Sequence, residues 1–246
     1  MSADTLNLPI IDLSELDNES TRADFYKKLR AHARNYGFFY LVGHGIDPND
    51  REKMLNAAKK FFALPLEEKE KISMDNSPHF RGYTKNGNEN TRQKKDYREV
   101  LDIGEELPVI RVPEEEKDRI QYNMSGPNQW PAAVPELETT SMHWFHTVKQ
   151  LTIKLLRAFM VALELPEDAL DELLVGTPID LLKICHYPAN TGEDGEGQAQ
   201  GLGPHKDTGL LTMLWQDETG GLQVFTEENG WIDAVPVKNS FYRQYW

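Results

Sequence analysis

The sequence predicts an α+β protein, with a helix-rich first part packed on a β-rich last third. Three observations carry this expectation. Before Pro166, apolar residues recur at three- and four-residue steps in three separate stretches, the spacing of a helix face. After Pro178, short apolar runs alternate with glycine turns, which is the rhythm of a β-sandwich or barrel. With 246 residues, 39% hydrophobic and 27% charged, the chain is long enough to bury a full core.

Taken in order, "LPIIDL" (Leu8 to Leu13) is a short β-branched run closed by an aspartate and reads as a strand. From Ser20 to Tyr36, Phe25, Leu29 and His32 share one face, which predicts a helix capped by Ser20 or Thr21. Gly37 ends it, and "FFYLVGHG" is an apolar run too short for a helix, read as a buried strand. "DPNDREKMLNAAKKFFALPLEEKEKI" opens with a second amphipathic helix, capped by Asp47 or Asn49 and stopped by Pro65. Residues 75–96 are polar, glycine-bearing and aperiodic, and read as a loop. "YREVLDIG" is a candidate strand. The longest helix is expected over Glu136 to Leu165, where Phe145, Val148, Leu151, Leu155 and Phe159 form one stripe. Beyond Pro178, "IDLLKICHYP" reads as a strand and residues 190–200 as an acidic surface insertion. "LGPHKDTGLLTMLWQD", "GLQVFTEENGWIDAVPV" and "NSFYRQYW" then supply strands, glycine turns and an "ENG" hairpin.

The bulk numbers exclude some functions. A net charge of −13 and a pI near 5.0 oppose nucleic-acid binding, which needs a basic face. The single cysteine, Cys185, rules out an internal disulfide and fits a reducing, cytoplasmic location. "MSADTLNLPIIDL" lacks the basic start and long apolar run of a secretion signal, and no stretch has the apolar length of a membrane helix.

The chemistry-bearing motif is "GPHKDTG". In a strand, side chains two apart point the same way, so His205 and Asp207 would face one side and Lys206 the other. An imidazole and a carboxylate so placed can bind one divalent ion. Two histidines and one carboxylate on one face of an octahedron hold non-haem iron(II) and leave positions open. The spacing alone is a weak signal; Gly203-Pro204 before it and "GGLQV" after it give it context.

With that context the chain resembles the isopenicillin N synthase-like oxygenases. "LPIIDL", "NYGFFYLVGHGI", "GPNQWP", "HYP", "GPHKDTGLLTMLWQD", "GGLQVF" and "GWIDAVPV" occur in the family's order, from about Leu8 to Phe241. The resemblance implies a double-stranded β-helix (jelly-roll) core, incomplete at the C-terminus. It also implies three parts: an N-terminal segment over 8–120, a linker and long support helix over 121–177, and a β-helix domain over 178–246. It makes the protein an Fe(II)- and 2-oxoglutarate-dependent dioxygenase acting with molecular oxygen on a small molecule. His205 and Asp207 match the first two iron ligands, and Tyr187 in "CHYP" matches a residue that contacts 2-oxoglutarate or substrate.

Family members carry the third ligand, a histidine, some fifty to sixty residues beyond the aspartate, and an arginine for 2-oxoglutarate shortly after. None of the residues after Asp207 here is histidine. The closing "YRQYW" also differs from the valine-rich strand the family would place after "SF", so Tyr242 to Trp246 are expected to be unrelated sequence. A C-terminally truncated member with impaired activity is therefore expected. The alternative is a non-catalytic binding or regulatory remnant of the same fold.

No other histidine is a good substitute. Strand parity turns His186 away from Tyr187. His44 is expected to satisfy a loop, and His143 and His146 to lie on a half-exposed helix face without nearby carboxylates. His32 and His79 carry no signal. Cys185 is expected to pack as a small apolar residue on Tyr187's side of the strand, and Arg81 and Arg98 to be solvated or ion-paired.

Overall fold

A computed structural model describes residues 8–109, 115, 123–175, 178–189, 200–207 and 209–244. The expected acidic insertion at 190–199 lies outside these residues, as do Thr208, Tyr245 and Trp246. The chain forms two compact units.

The first unit gathers Met1–Pro48, Thr147–Glu172 and Lys206–Trp246. Its sheet runs β1 (Ile10–Asp12), β2 (Phe38–Val42), β11 (Phe241–Gln244), β8 (Thr212–Leu214) in spatial order. The β1–β2 pair is parallel, with Ile11 opposite Leu41. Parallel neighbours need a crossover. The 3-10 turn Leu13–Leu16 and helix α1 (Glu19–Asn35) supply it. The cap of α1 is Asn18, which accepts from the Ser20 N–H at 3.0 Å, not Ser20 or Thr21. An acceptor there serves the second helical N–H, so the capping residue stands two positions ahead of the one it bonds. β9 (Gln223–Thr226) and β10 (Gly230–Asp233) form the expected hairpin, turning at Gly230 with φ 69°. Leu8, Tyr40, Val224, Ile232, Ala234 and Tyr242 close the core of this unit.

The second unit gathers Asn49–His146 and Leu173–His205. Helix α2 (Pro48–Phe62) buries Met54, Ala57, Ala58, Phe61 and Phe62. It stops at Phe62, before Pro65, which instead precedes α3 (Leu66–Glu70). The unit's main sheet is β3 (Gly82–Thr84), β6 (Glu99–Gly104), β7 (Leu181–His186), all antiparallel neighbours. Every residue of β6 is buried. Leu101 and Ile103 face a core of Phe61, Phe62, Ile72, Tyr83 and Leu137.

Residues 75–96 are not one loop. They contain β3 and a tight hairpin of β4 (Asn90–Thr91) and β5 (Lys94–Lys95). The hairpin turn places Arg92 and Gln93 at φ 51° and 67°. A two-residue turn with both φ positive is type I′, which favours Asn-Gly. This sequence offers no such residues, so pattern reading found no hairpin.

Helix α4 (Glu136–Ala162) is the long one. It ends earlier than expected, with Leu165 N–H bonding to the Met160 carbonyl and Glu164 N–H to that of Val161. That is a Schellman closure with Glu164, φ 63°, in the place glycine commonly takes. Of the described residues in the expected "LGPHKDTGLLTMLWQD" strand, only Thr212–Leu214 is β.

Candidate metal centre

The expected strand geometry for His205 and Asp207 is not what the fold provides. Residues 203–207 belong to no strand, so strand alternation does not set where the two side chains point. Gly203-Pro204 explains this, because proline lacks the N–H a ladder needs and glycine weakens a strand.

Local hydrogen bonds order His205 instead. Its Nδ1 lies 2.9 Å from the Gly203 carbonyl oxygen. A carbonyl can only accept, so Nδ1 carries the proton and a neutral ring has its lone pair on Nε2. Gly203 is itself pinned: its N–H donates to Asp96 Oδ1 at 3.1 Å. Asp96, 1% exposed, also accepts from Gln200 Nε2 at 2.7 Å and from the Thr91 hydroxyl at 2.6 Å. Burial raises the Asp96 pKa, but these donors and the Arg98 charge outweigh it and hold the carboxyl below the ordinary range. Sequence reading passed over Asp96; its only signal is its place directly before "YREV".

Asp207 is half-buried in the first unit. In that unit its charge helps to keep the phenol of buried Tyr242 protonated, after burial itself and Tyr40.

Tyr187 follows β7 on the strand face opposite the apolar core. That face carries Arg98 and Asp102 of the β6 segment and Lys183 and Cys185 of β7. Arg98 hydrogen-bonds the Tyr187 hydroxyl, reaches Cys185 Sγ at 3.8 Å and pairs with Glu89 at 2.8 Å. Lys183 bridges Glu89 and Asp102, each at 3.2 Å. Cys185 therefore faces charged groups rather than apolar packing, and burial pushes its thiol up and keeps it protonated. Arg98 is a buried ion-pair member. Arg81, 2% exposed, spends its guanidinium on the His79, Phe80 and Met124 carbonyls.

The remaining histidines have other partners. His186 Nδ1 meets Glu99 Oε1 at 2.7 Å, on the face away from Tyr187. His44 bonds the Asn239 carbonyl at 3.1 Å and stacks edge-on against Phe241. His143 and His146 do have carboxylates, contrary to expectation, but different ones: Asp50 at 2.9 Å and Glu105 at 2.8 Å. His32 stacks on Tyr36, and His79 reaches the Asn123 carbonyl at 3.3 Å. Among the described residues no group of three His, Cys, Asp or Glu side chains is placed to hold a metal ion.

Known proteins resemble this chain along its whole length. A model of the non-haem dioxygenase N-terminal region, named for morphine synthesis, matches residues 8–133. A 2OG-Fe(II) oxygenase superfamily model matches residues 178–244. That second match runs through β11, so Tyr242 to Gln244 are not the unrelated tail the sequence suggested. The chain is 37% identical over 232 residues to the 2-oxoglutarate-dependent dioxygenase frbJ of Dothideomycetidae sp., covering 94% of this chain and 62% of frbJ. It is 34% identical to the 2-oxoglutarate-Fe(II) type oxidoreductase hxnY of Emericella nidulans, covering 95% of this chain and 68% of hxnY. The crystal structure of a full-length Neurospora crassa protein in complex with alpha-KG superimposes with a TM-score of 0.80 at 28% identity, over 100% of this chain and 74% of that one. The α+β expectation with a jelly-roll core holds. The chain thus spans about 62% of the length of frbJ.

Proposed function

The chain belongs to the 2OG-Fe(II) oxygenase superfamily, and on that premise we propose that it serves an iron(II)- and 2-oxoglutarate-dependent oxidation, hydroxylation or a related reaction, of a small molecule. His205 and Asp207 are the iron ligands in this reading, and Tyr187 contacts 2-oxoglutarate or substrate. The observation that carries it is the His205 tautomer: Nδ1 is committed to the Gly203 carbonyl at 2.9 Å, which leaves Nε2 the basic nitrogen. A neutral imidazole ordered by a backbone carbonyl, with a carboxylate two residues on, is the donor chemistry ferrous iron takes. Iron bound there supplies oxygen activation coupled to decarboxylation of 2-oxoglutarate, directed at an unactivated C–H bond.

The protein's own residues bind and orient. His205 and Asp207 donate to the metal in this reading, while Arg98, itself paired with Glu89, holds the Tyr187 hydroxyl. The division into 8–120, 121–177 and 178–246 and a cytoplasmic setting, with no nucleic-acid or membrane partner, belong to the same proposal. No described helix is long and apolar enough to cross a membrane.

A second reading, a chain of the same fold that binds without turnover, has its own observation: among the described residues no group of three His, Cys, Asp or Glu side chains is placed to hold a metal ion. Succinate formation from 2-oxoglutarate in air, at saturating iron(II), separates the readings. The oxygenase reading expects production that drops to background in His205→Ala and in Asp207→Ala. 2-Oxoglutarate binding without succinate supports the binding reading. Succinate made equally by both variants refutes the assigned ligands.

A further inference from the structure

We infer that Asp96 is a positioning residue for the metal ligand His205, acting through the backbone of Gly203. This rests on the proposed ligand role of His205, and deepens it.

The connection is continuous and short. One oxygen of the buried Asp96 carboxylate takes the Gly203 N–H at 3.1 Å and the Gln200 side-chain amide at 2.7 Å. The other takes the Thr91 hydroxyl at 2.6 Å. The Tyr97 N–H, next along the chain, bonds the Gln200 carbonyl at 2.7 Å. Segment 200–203 is thus clamped to the β4–β5 hairpin and the start of β6 at both side-chain and backbone level. Gly203 then presents its carbonyl to His205 Nδ1 at 2.9 Å.

Gly203 is fitted to this place. A Cβ on it would stand 2.6 Å from the Gln200 amide nitrogen and 2.8 Å from the Thr91 side chain. No strand ladder orders residues 203–207, so the clamp substitutes for one. Without it the carbonyl that selects the Nδ1–H form of His205 would no longer be held. Neighbours that orient a ligating histidine typically account for about tenfold to a hundredfold in metal affinity.

The test compares Asp96→Ala, Asp96→Asn and Thr91→Val with wild type in two readouts. Nitrogen-15 NMR of the metal-free protein reports the tautomer of His205. Titration with manganese(II) or iron(II) under argon reports affinity. Asp96→Ala should mix the His205 tautomers and weaken metal binding about tenfold or more. Asp96→Asn, which keeps an oxygen for Gly203, should recover most of both. Thr91→Val, which leaves the Gly203 bond in place, should preserve the tautomer. An unchanged tautomer in Asp96→Ala, or equal loss in Asp96→Asn and Asp96→Ala, overturns the inference. If wild type binds no metal through His205, the ligand assignment fails while the tautomer readout still decides the role of Asp96.

Discussion

Glu99 shows how much a single buried carboxylate can organise. Lys69 Nζ reaches it at 2.7 Å, the Tyr83 hydroxyl donates at 2.5 Å and His186 Nδ1 lies at 2.7 Å. Both Glu99 and Lys69 are more than nine-tenths buried. Removing either charge strands the other, so Lys69→Met or Glu99→Ala should cost about 3–5 kcal/mol in urea unfolding. Burial raises the Glu99 pKa, but hydrogen bonds from Lys69, Tyr83 and His186 overcome it and hold the carboxyl below the ordinary glutamate range. A depressed folded value means this stabilisation is present above the ordinary carboxylate range and is lost as pH falls through it. The stability gap between wild type and Glu99→Gln should therefore be full at pH 7 and shrink below about pH 4.5. A gap that widens on acidification would refute the assignment. Burial and the neighbouring Glu99 push the Tyr83 phenol up, so it stays a donor throughout. None of this was readable in "KDYREV", where a glutamate on the core side of a strand looks like any surface charge. The His205–Asp207 spacing stood out in the sequence because it and its flanking glycine and proline are local.

The elements were legible where their signals are short-range. Apolar periodicity located α1, α2 and α4, a β-branched run located β1, and short apolar runs located β2, β6 and β7. The Arg92-Gln93 turn was missed because its conformation contradicts its residues. Replacing that pair by Asn-Gly should stabilise the protein by about 1 kcal/mol, since each left-handed residue costs roughly that much without glycine. Chemical denaturation measures it, and a loss of stability would show that the turn side chains matter for another reason. "VGHG" has the opposite history. Gly43 has φ 62°, and a Cβ there would collide with Asp12 Oδ1. Asp12 in turn caps the 3-10 turn through the Ser14 N–H at 3.0 Å. The glycine of one motif and the aspartate of "LPIIDL" are therefore one contact, and Gly43→Ala should destabilise by more than about 2 kcal/mol. In β11 the Tyr242 hydroxyl is buried with no hydrogen-bond partner. Tyr242→Phe should accordingly be neutral or stabilising by up to about 1 kcal/mol.

At the scale of the whole molecule, pairing between distant segments is what a sequence hides. β2 lies between β1 and β11, so residues near 40 bond to residues near 242. No local pattern announces that register, and the family resemblance alone made the jelly roll visible. The same holds for Asp96, which meets Gly203 across more than a hundred residues of chain. The His205–Asp207 spacing is visible in the sequence, and the Asp96–Gly203 hydrogen bond only in the fold. The central claim is that His205 and Asp207 hold ferrous iron. Its most direct measurement is anaerobic equilibrium dialysis of iron(II) against wild type, His205→Ala and Asp207→Ala at matched folded fractions. The account predicts one iron(II) site in wild type whose affinity falls at least about tenfold in each variant. Equal iron uptake by all three proteins would contradict it.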